Sequence, residues 1–239
     1  MNKRNISKIL SQPFTYLTEG LQTFVYISKD EKYVLKTLKN LEQSKEQFKR
    51  WGLNPDDITE VLTENSEKSY KLAFERLKKQ TALEYVHISG ERLSFEQIIL
   101  DGKEYDSSTL QFILQEKVEL VRGRIRSLMN DDNITEAKKV IDDIMKLISY
   151  IWKHNITEDT FNWDHNYGYT QSGILTQIDV GTFWGDRKYL QEEIEKKKLV
   201  DSVSAKKLKT DFPKLYVYYQ KETERLYNEF AYITTQNTN

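Results

Sequence analysis

Apolar positions change their period along this chain, and the change predicts its elements. From residue 14 to 38 three short runs, 14–17, 23–27 and 33–38, are β-branched or aromatic and separated by polar turns. Each suits a strand, and the tight links between them predict an antiparallel meander. Residues 41–51 are charged and helix-favouring. A short helix is expected at 58–63 and a longer one at 66–83, where Tyr70, Ala73, Phe74, Leu77 and Thr81 recur at helical spacing. Residues 83–89, 92–100 and 110–115 read again as strands, and Asp101-Gly102 is a hairpin-turn signal. From Lys117 onward helices dominate, at 117–129, from Asn133 to about Lys153, at 187–197, at 202–209 and at 214–231. The second of these carries Ile134, Ala137, Val140, Ile141, Ile144, Ile148 and Ile151 on one stripe, and Asn133 with Glu136 marks its start. An α+β protein of two lobes follows, residues 1–116 β-rich and 117–239 mainly helical.

One hairpin interrupts the helical half. Asn166 to Gly181 reads NYGYTQSGILTQIDVG, with strands at 167–170 and 174–180 about a turn at Gln171-Ser172-Gly173. A hairpin returns the chain to its starting point, so the Asn166 amide and the Asp179 carboxylate can face one place. Amide and carboxylate oxygens suit a hard cation such as Mg²⁺. An Asp after a strand is also a common turn former. In the first half, Lys36 stands on the same strand face as Val34 and Leu38. A lysine there calls for an anionic partner, or marks an edge strand that turns its charge to water. Glu75 flanks the apolar stripe of its helix, where it can reach the sheet edge or pair with Lys71 or Lys79.

Composition narrows the classes. With 239 residues, 31% charged and 38% hydrophobic, the chain is expected to be soluble, and its net charge of −1 gives no footprint for nucleic acid. The absence of cysteine excludes disulfides and thiolate metal sites. The N-terminal MNKRNISKIL lacks the long apolar core and small-residue cleavage site of a signal peptide, and no stretch is apolar enough to span a bilayer. A cytoplasmic location with no membrane partner is the expectation. His87, His154 and His165 have no zinc-like spacing, and the run Lys196-Lys197-Lys198 lies among glutamates, as on a charged helix face.

The order of these features resembles the protein-kinase fold, in particular its reduced bacterial kinase-like and phosphotransferase relatives. Residues 17–26, LTEGLQTFVY, look like the glycine-rich loop G-x-G-x-x-G-x-V, with Gly20 as the middle glycine and Val25 as the valine. Val34-Leu35-Lys36 resembles V-A-I-K, Glu75 matches the helix glutamate that pairs this lysine, and Asp179-Val180-Gly181 resembles D-F-G. Asn166 matches the catalytic-loop asparagine. The resemblance implies an ATP- and Mg²⁺-dependent transferase acting on a protein or small-molecule hydroxyl. In it Lys36 neutralises phosphate, Glu75 orients Lys36, Asn166 and Asp179 hold magnesium, and the adenine meets backbone near Glu116 and Lys117. The chain departs from the pattern in four respects. Thr18 and Thr23 replace two glycines. H-R-D is missing, with Phe161 where its aspartate belongs. No A-P-E follows Asp179, and the chain after Gly181 is short. Asp159, with Asp164 as the alternative, is the expected base. The eroded motifs equally suit a pseudokinase, with or without nucleotide, that binds a partner and lacks catalysis.

Overall fold

The computed structural model describes residues 3–58, 60–88, 97–158 and 161–236. The chain divides into two compact units, Met1–Lys117 and Val118–Asn239. The fold class is α+β.

Unit 1 opens with α1 (Lys3–Leu10), followed by β1 (Phe14–Glu19), β2 (Thr23–Ser28) and β3 (Tyr33–Leu38). Then come α2 (Leu41–Arg50), α3 (Glu60–Arg76), β4 (Leu83–His87), β5 (Gln97–Leu100), β6 (Lys103–Asp106) and β7 (Phe112–Glu116). The strands form one seven-stranded sheet in the order β4-β7-β3-β2-β1-β5-β6. The meander β1-β2-β3 is antiparallel, with Val25 opposite Lys36 and Lys36 opposite Ile113 of β7. An all-antiparallel sheet was the expectation; the sheet is mixed, because β1 and β5 run parallel at Phe14 and Leu100. Asp101 pins that junction. Its N–H donates to the Phe14 carbonyl at 2.9 Å and its carboxylate accepts from the Tyr16 N–H at 2.7 Å.

Helix α1 was not expected. Its eight residues put Ile6, Ile9 and Leu10 on one side, and these pack with Phe14, Leu35, Ile98, Leu100, Phe112 and Leu114 as the core of the unit. Three apolar residues in a short charged segment carry too little periodicity to announce a helix, since burial against the sheet stabilises it. The two expected helices at 58–63 and 66–83 are one, α3, because no glycine or proline interrupts residues 60–76. Of the strand expected at 92–100, residues 92–96 lie outside the described residues.

Unit 2 contains β8 (Glu119–Leu120), α4 (Val121–Asn130), α5 (Ile134–Lys153), β9 (Thr157–Glu158), α6 (Trp163–Asn166), β10 (Tyr167–Tyr169), β11 (Leu175–Gln177) and β12 (Phe183–Trp184). It ends with α7 (Arg187–Lys196), α8 (Val203–Asp211) and α9 (Pro213–Gln236). The Asn133 side chain accepts from the Glu136 N–H and starts α5, while Glu136 itself turns to Lys139 at 2.5 Å. The apolar stripe of α5 is buried from Ala137 to Trp152 and packs on α9. The Trp152 ring stands edge-on to Phe230 at 5.2 Å and tilted to Tyr227 at 5.5 Å. Burying each aliphatic side chain of this stripe contributes about 1.5–3 kcal/mol, which makes the α5–α9 pair the framework on which the smaller elements sit. Among the described residues no helix is long and apolar enough to cross a membrane.

Candidate functional site

The hairpin of unit 2 is built from residue chemistry. Gly173, at φ +79°, takes the left-handed turn conformation that an L side chain resists. The Gly173 N–H donates to the Thr170 carbonyl at 2.9 Å, and the Thr170 hydroxyl accepts the Ile174 N–H at 3.1 Å. Tyr167 stands opposite Gln177 and Tyr169 opposite Leu175. The ladder reaches one step further, where the Ile178 N–H donates to the Asn166 carbonyl at 2.7 Å. Asp179 is therefore the next residue beyond the one facing Asn166. Asn166 is half-buried and Asp179 exposed. On its other edge β10 pairs with β8, and the approach is close enough to demand Gly168. A Cβ there would clash with the Val118 side chain and lie 2.8 Å from the Glu119 carbonyl.

Beside this hairpin lies a buried carboxyl group that sequence reading missed. Glu158 is on β9, opposite Phe183 of β12, and is 3% exposed. Its Oε1 accepts the Tyr167 hydroxyl at 2.8 Å, and its Oε2 is buried without a partner among the described residues. Burial first, then the carboxylates of Asp179 and Glu193, push its pKa up to about 8, against the lowering effect of the Tyr167 hydrogen bond. Glu193 on α7 is fully buried and accepts the Tyr227 hydroxyl at 2.7 Å, and burial pushes it up to about 7. Tyr167 is pushed well above its ordinary value by the same burial and by the Glu158 charge. Glu158 stays protonated near neutrality and acts as part of the hairpin's support. The space lined by Trp152, Glu158, Tyr167, Gln177 and Phe183 does not admit a water molecule. Nothing in the sequence marks Glu158 or Glu193; the only local hint is that Thr157-Glu158 precedes Asp159.

Asp159, the expected base, lies outside the described residues. Asp164, the alternative, is buried on α6. The Ser204 hydroxyl donates to its Oδ1 at 2.5 Å and the Lys207 ammonium to its Oδ2 at 3.2 Å, so both of its oxygens are already engaged in joining α6 to α8. His165 is 44% exposed in its side chain, and its Nε2 lies 3.2 Å from both the Arg122 guanidinium and the Lys207 ammonium. The same nitrogen lies 3.4 Å from the Asp164 Oδ2, so it stands among two cations and one carboxylate. Burial and the two cations hold its pKa below the ordinary value, against the pull of Asp164.

In unit 1 the glycine turn is tightly made. The Gly20 N–H donates to the Thr23 carbonyl at 2.9 Å. The Lys39 ammonium, a residue the sequence reading passed over, donates to the Gly20 carbonyl at 2.9 Å and pairs with Glu19 at 2.6 Å. Arg50 holds the other Glu19 oxygen at 2.9 Å. The Lys39 contact, offset in part by burial, holds the Glu19 carboxyl below its ordinary value. Lys36 is 7% exposed, in one row across the sheet with Val25 and Ile113. Glu75 of α3 is exposed and makes no ion pair with Lys36 within 4 Å. Glu116 ends β7, where its N–H donates to the Ala82 carbonyl at 3.0 Å. Lys117 donates its N–H to the Lys32 carbonyl at 2.8 Å and its ammonium to Glu31 at 3.0 Å. The structure thus brings Gly20 to the β1–β2 turn, Lys36 and Val25 together on one sheet face, and Asn166 beside the Asp179 segment.

His87 is buried against Phe112 at 5.4 Å, and His154 caps α5 through the Tyr150 carbonyl. Among the described residues no group of three or more His, Asp or Glu side chains is arranged to hold a metal ion. No protein-family model matches the chain, and no curated protein matches it.

Proposed function

We propose that the chain is a reduced, two-lobed kinase-like protein that transfers phosphate from ATP with Mg²⁺ to a hydroxyl. The observation that carries this reading is the register of the unit 2 hairpin, which sets Asn166 across from Ile178 and one step from Asp179. An amide oxygen and a carboxylate at one end of a hairpin suit a magnesium ion that keeps its other positions for phosphate oxygens. Bound there, the ion would supply charge neutralisation at the phosphates. Lys36, buried in the meander, is suited to neutralise phosphate, and the turn at Gly20 to present backbone N–H groups. Asp159 is the candidate to accept the hydroxyl proton.

One observation favours a second reading, a pseudokinase that binds a partner without catalysis. The Gly20 carbonyl is already held by Lys39, which ties down the glycine turn, and Glu75, the expected partner of Lys36, is exposed. The two readings separate in a thermal melt with ATP and Mg²⁺, followed by a phosphate-transfer assay. Saturating nucleotide at a hundred times its dissociation constant adds about 2.7 kcal/mol and raises the midpoint by roughly 5–10 °C in a chain of this length. A magnesium-dependent rise that Asp179→Asn abolishes supports the nucleotide site. Turnover lost in Asp179→Asn and Lys36→Met then supports catalysis, and turnover retained in both refutes it. No rise at millimolar ATP favours the partner-binding reading.

A further inference from the structure

Helix α7 is seated in unit 2 by three buried side chains, Leu190, Glu193 and Ile194, and the middle one is a carboxyl group. An apolar residue there would continue the seam; an acid is tolerated only while it is neutral or well partnered. Glu193 is fully buried and partnered on one side. The Tyr227 hydroxyl of α9 donates to its Oε1 at 2.7 Å, and its Oε2 is buried without a hydrogen bond among the described residues. The same Tyr227 oxygen accepts the Leu199 N–H at 3.0 Å, in the turn that follows α7. The Leu199 carbonyl accepts the Tyr219 hydroxyl at 2.8 Å, and the Tyr219 oxygen accepts the Trp163 indole N–H at 3.3 Å. Two tyrosines of α9 thus hold α7 and its turn through one carboxyl group and one peptide unit. Around that carboxyl, α9 contributes Tyr227, the turn contributes Lys198, β9 contributes Glu158 and β10 contributes Tyr167. Burial opposes the charged form of Glu193 and outweighs the Tyr227 hydrogen bond and the Lys198 ammonium, which favour it. An ionised Glu158 would oppose it further.

We propose that Glu193 is a pH-sensitive latch on α7: its protonated carboxyl keeps the helix seated on α9 through Tyr227, and its ionisation releases the helix. The latch is independent of the kinase-like reading. An opened α7 sets Glu193 in water, where its pKa returns from about 7 to the ordinary 4.5. A carboxyl held above its solvated value favours the seated helix fully below pH 4.5, and that advantage is lost as pH rises through 7. The opening constant of α7 therefore rises about 70-fold between pH 5 and pH 8, most of it below pH 7. Trp184 reports the event, since its ring lies against Tyr189 of α7 with centroids 4.8 Å apart.

The test is amide hydrogen exchange of the full-length chain from pH 5 to pH 8, read by NMR and converted to opening constants with the intrinsic exchange rate at each pH. The α7 amides are expected to open about 70-fold more at pH 8 than at pH 5, and at each pH more than those of α5, which wait for the unit to unfold. Glu193→Gln keeps an acceptor for Tyr227 and does not titrate, so its α7 opening should be flat with pH. Tyr227→Phe should open α7 further at every pH and keep the rise. A native α7 whose opening does not rise with pH, or a rise of the same size in Glu193→Gln, overturns the latch. So does an α7 that opens only together with α5, because the carboxyl then acts on the unit as a whole. Should Glu193→Gln fail to fold, the native chain decides. The Glu193 carboxyl and the Trp184 indole resonances are expected to shift with one common midpoint near neutrality. A Glu193 midpoint at its ordinary value, or a Trp184 indole that does not follow the carboxyl, overturns the proposal.

Discussion

Replacing Glu158 by Gln tests whether a buried, protonated carboxyl supports the hairpin. A carboxyl whose pKa is higher in the folded than in the unfolded chain favours folding while protonated. That contribution is complete below the unfolded value of 4.5 and is lost as pH rises through the folded value of about 8. Native Glu158 therefore costs little at pH 5 and about 3 kcal/mol at pH 7, because the unfolded chain ionises there and the folded one does not. Glutamine keeps an oxygen for the Tyr167 hydroxyl and does not titrate. Its amide nitrogen falls where Oε2 has no partner, which adds an offset that is the same at every pH. The quantity to read is the slope: between pH 5 and pH 7 the variant should gain about 2–3 kcal/mol on the native chain. Glu193, which burial also pushes up to about 7, is common to both proteins and largely cancels. Urea unfolding followed by tryptophan fluorescence reports this unit well. Trp152, Trp163 and Trp184 lie in it, the first two fully buried, and Trp51 of the other unit is half-exposed. Parallel stability curves for the two proteins from pH 5 to pH 8 would refute the argument.

Three further substitutions have definite outcomes. Gly168→Ala drives a methyl group into Val118 and the Glu119 carbonyl, and should lower stability by about 1–3 kcal/mol, seen as a lower urea midpoint with an unchanged slope. Lys39→Met removes the donor to Gly20 and Glu19; with Arg50 still holding Glu19, the loss should be about 1.5–3 kcal/mol, and amide exchange at the β1–β2 turn should quicken most. Ile6→Ala should cost about 2–5 kcal/mol in unit 1 if α1 belongs to its core, and a change within error in unit 1's midpoint would remove α1 from it.

The elements readable from the sequence were those whose stabilising contacts lie close along the chain. The meander, the α5 stripe and the Asp101-Gly102 and Gly173 turns are local patterns, and each has its expected place. What escaped depends on distant partners. The isoleucines of α1 acquire meaning only against Ile98 and Phe112, and the parallel β1–β5 join needs Asp101 to reach back to Tyr16. Period-two patterning says that β1 is a strand but not which neighbour it takes. The nearness of Asn166 to the Asp179 segment was legible because one hairpin carries both. Glu158, Glu193 and Lys39 were not, since a carboxylate or ammonium looks the same in a sequence whether it is solvated or buried. Only the fold supplies the tyrosines and the carbonyl that make their burial tolerable.

Strand β7 lies between β4 and β3, yet it is the last strand of its sheet to be made. During synthesis the nascent chain therefore holds a finished meander whose β3 edge is raw, and a β4 with no strand to join, until residue 116 emerges. At about 5–20 residues per second the stretch from Leu38 to Glu116 takes roughly 4–16 s. An open β3 edge is a template for other chains throughout it. The apolar run Phe112-Ile113-Leu114, once inserted, closes the β3 edge and joins β4 to the sheet in one step. A ribosome pause just before this run would prolong the vulnerable state, and one just after it would shelter the completed unit.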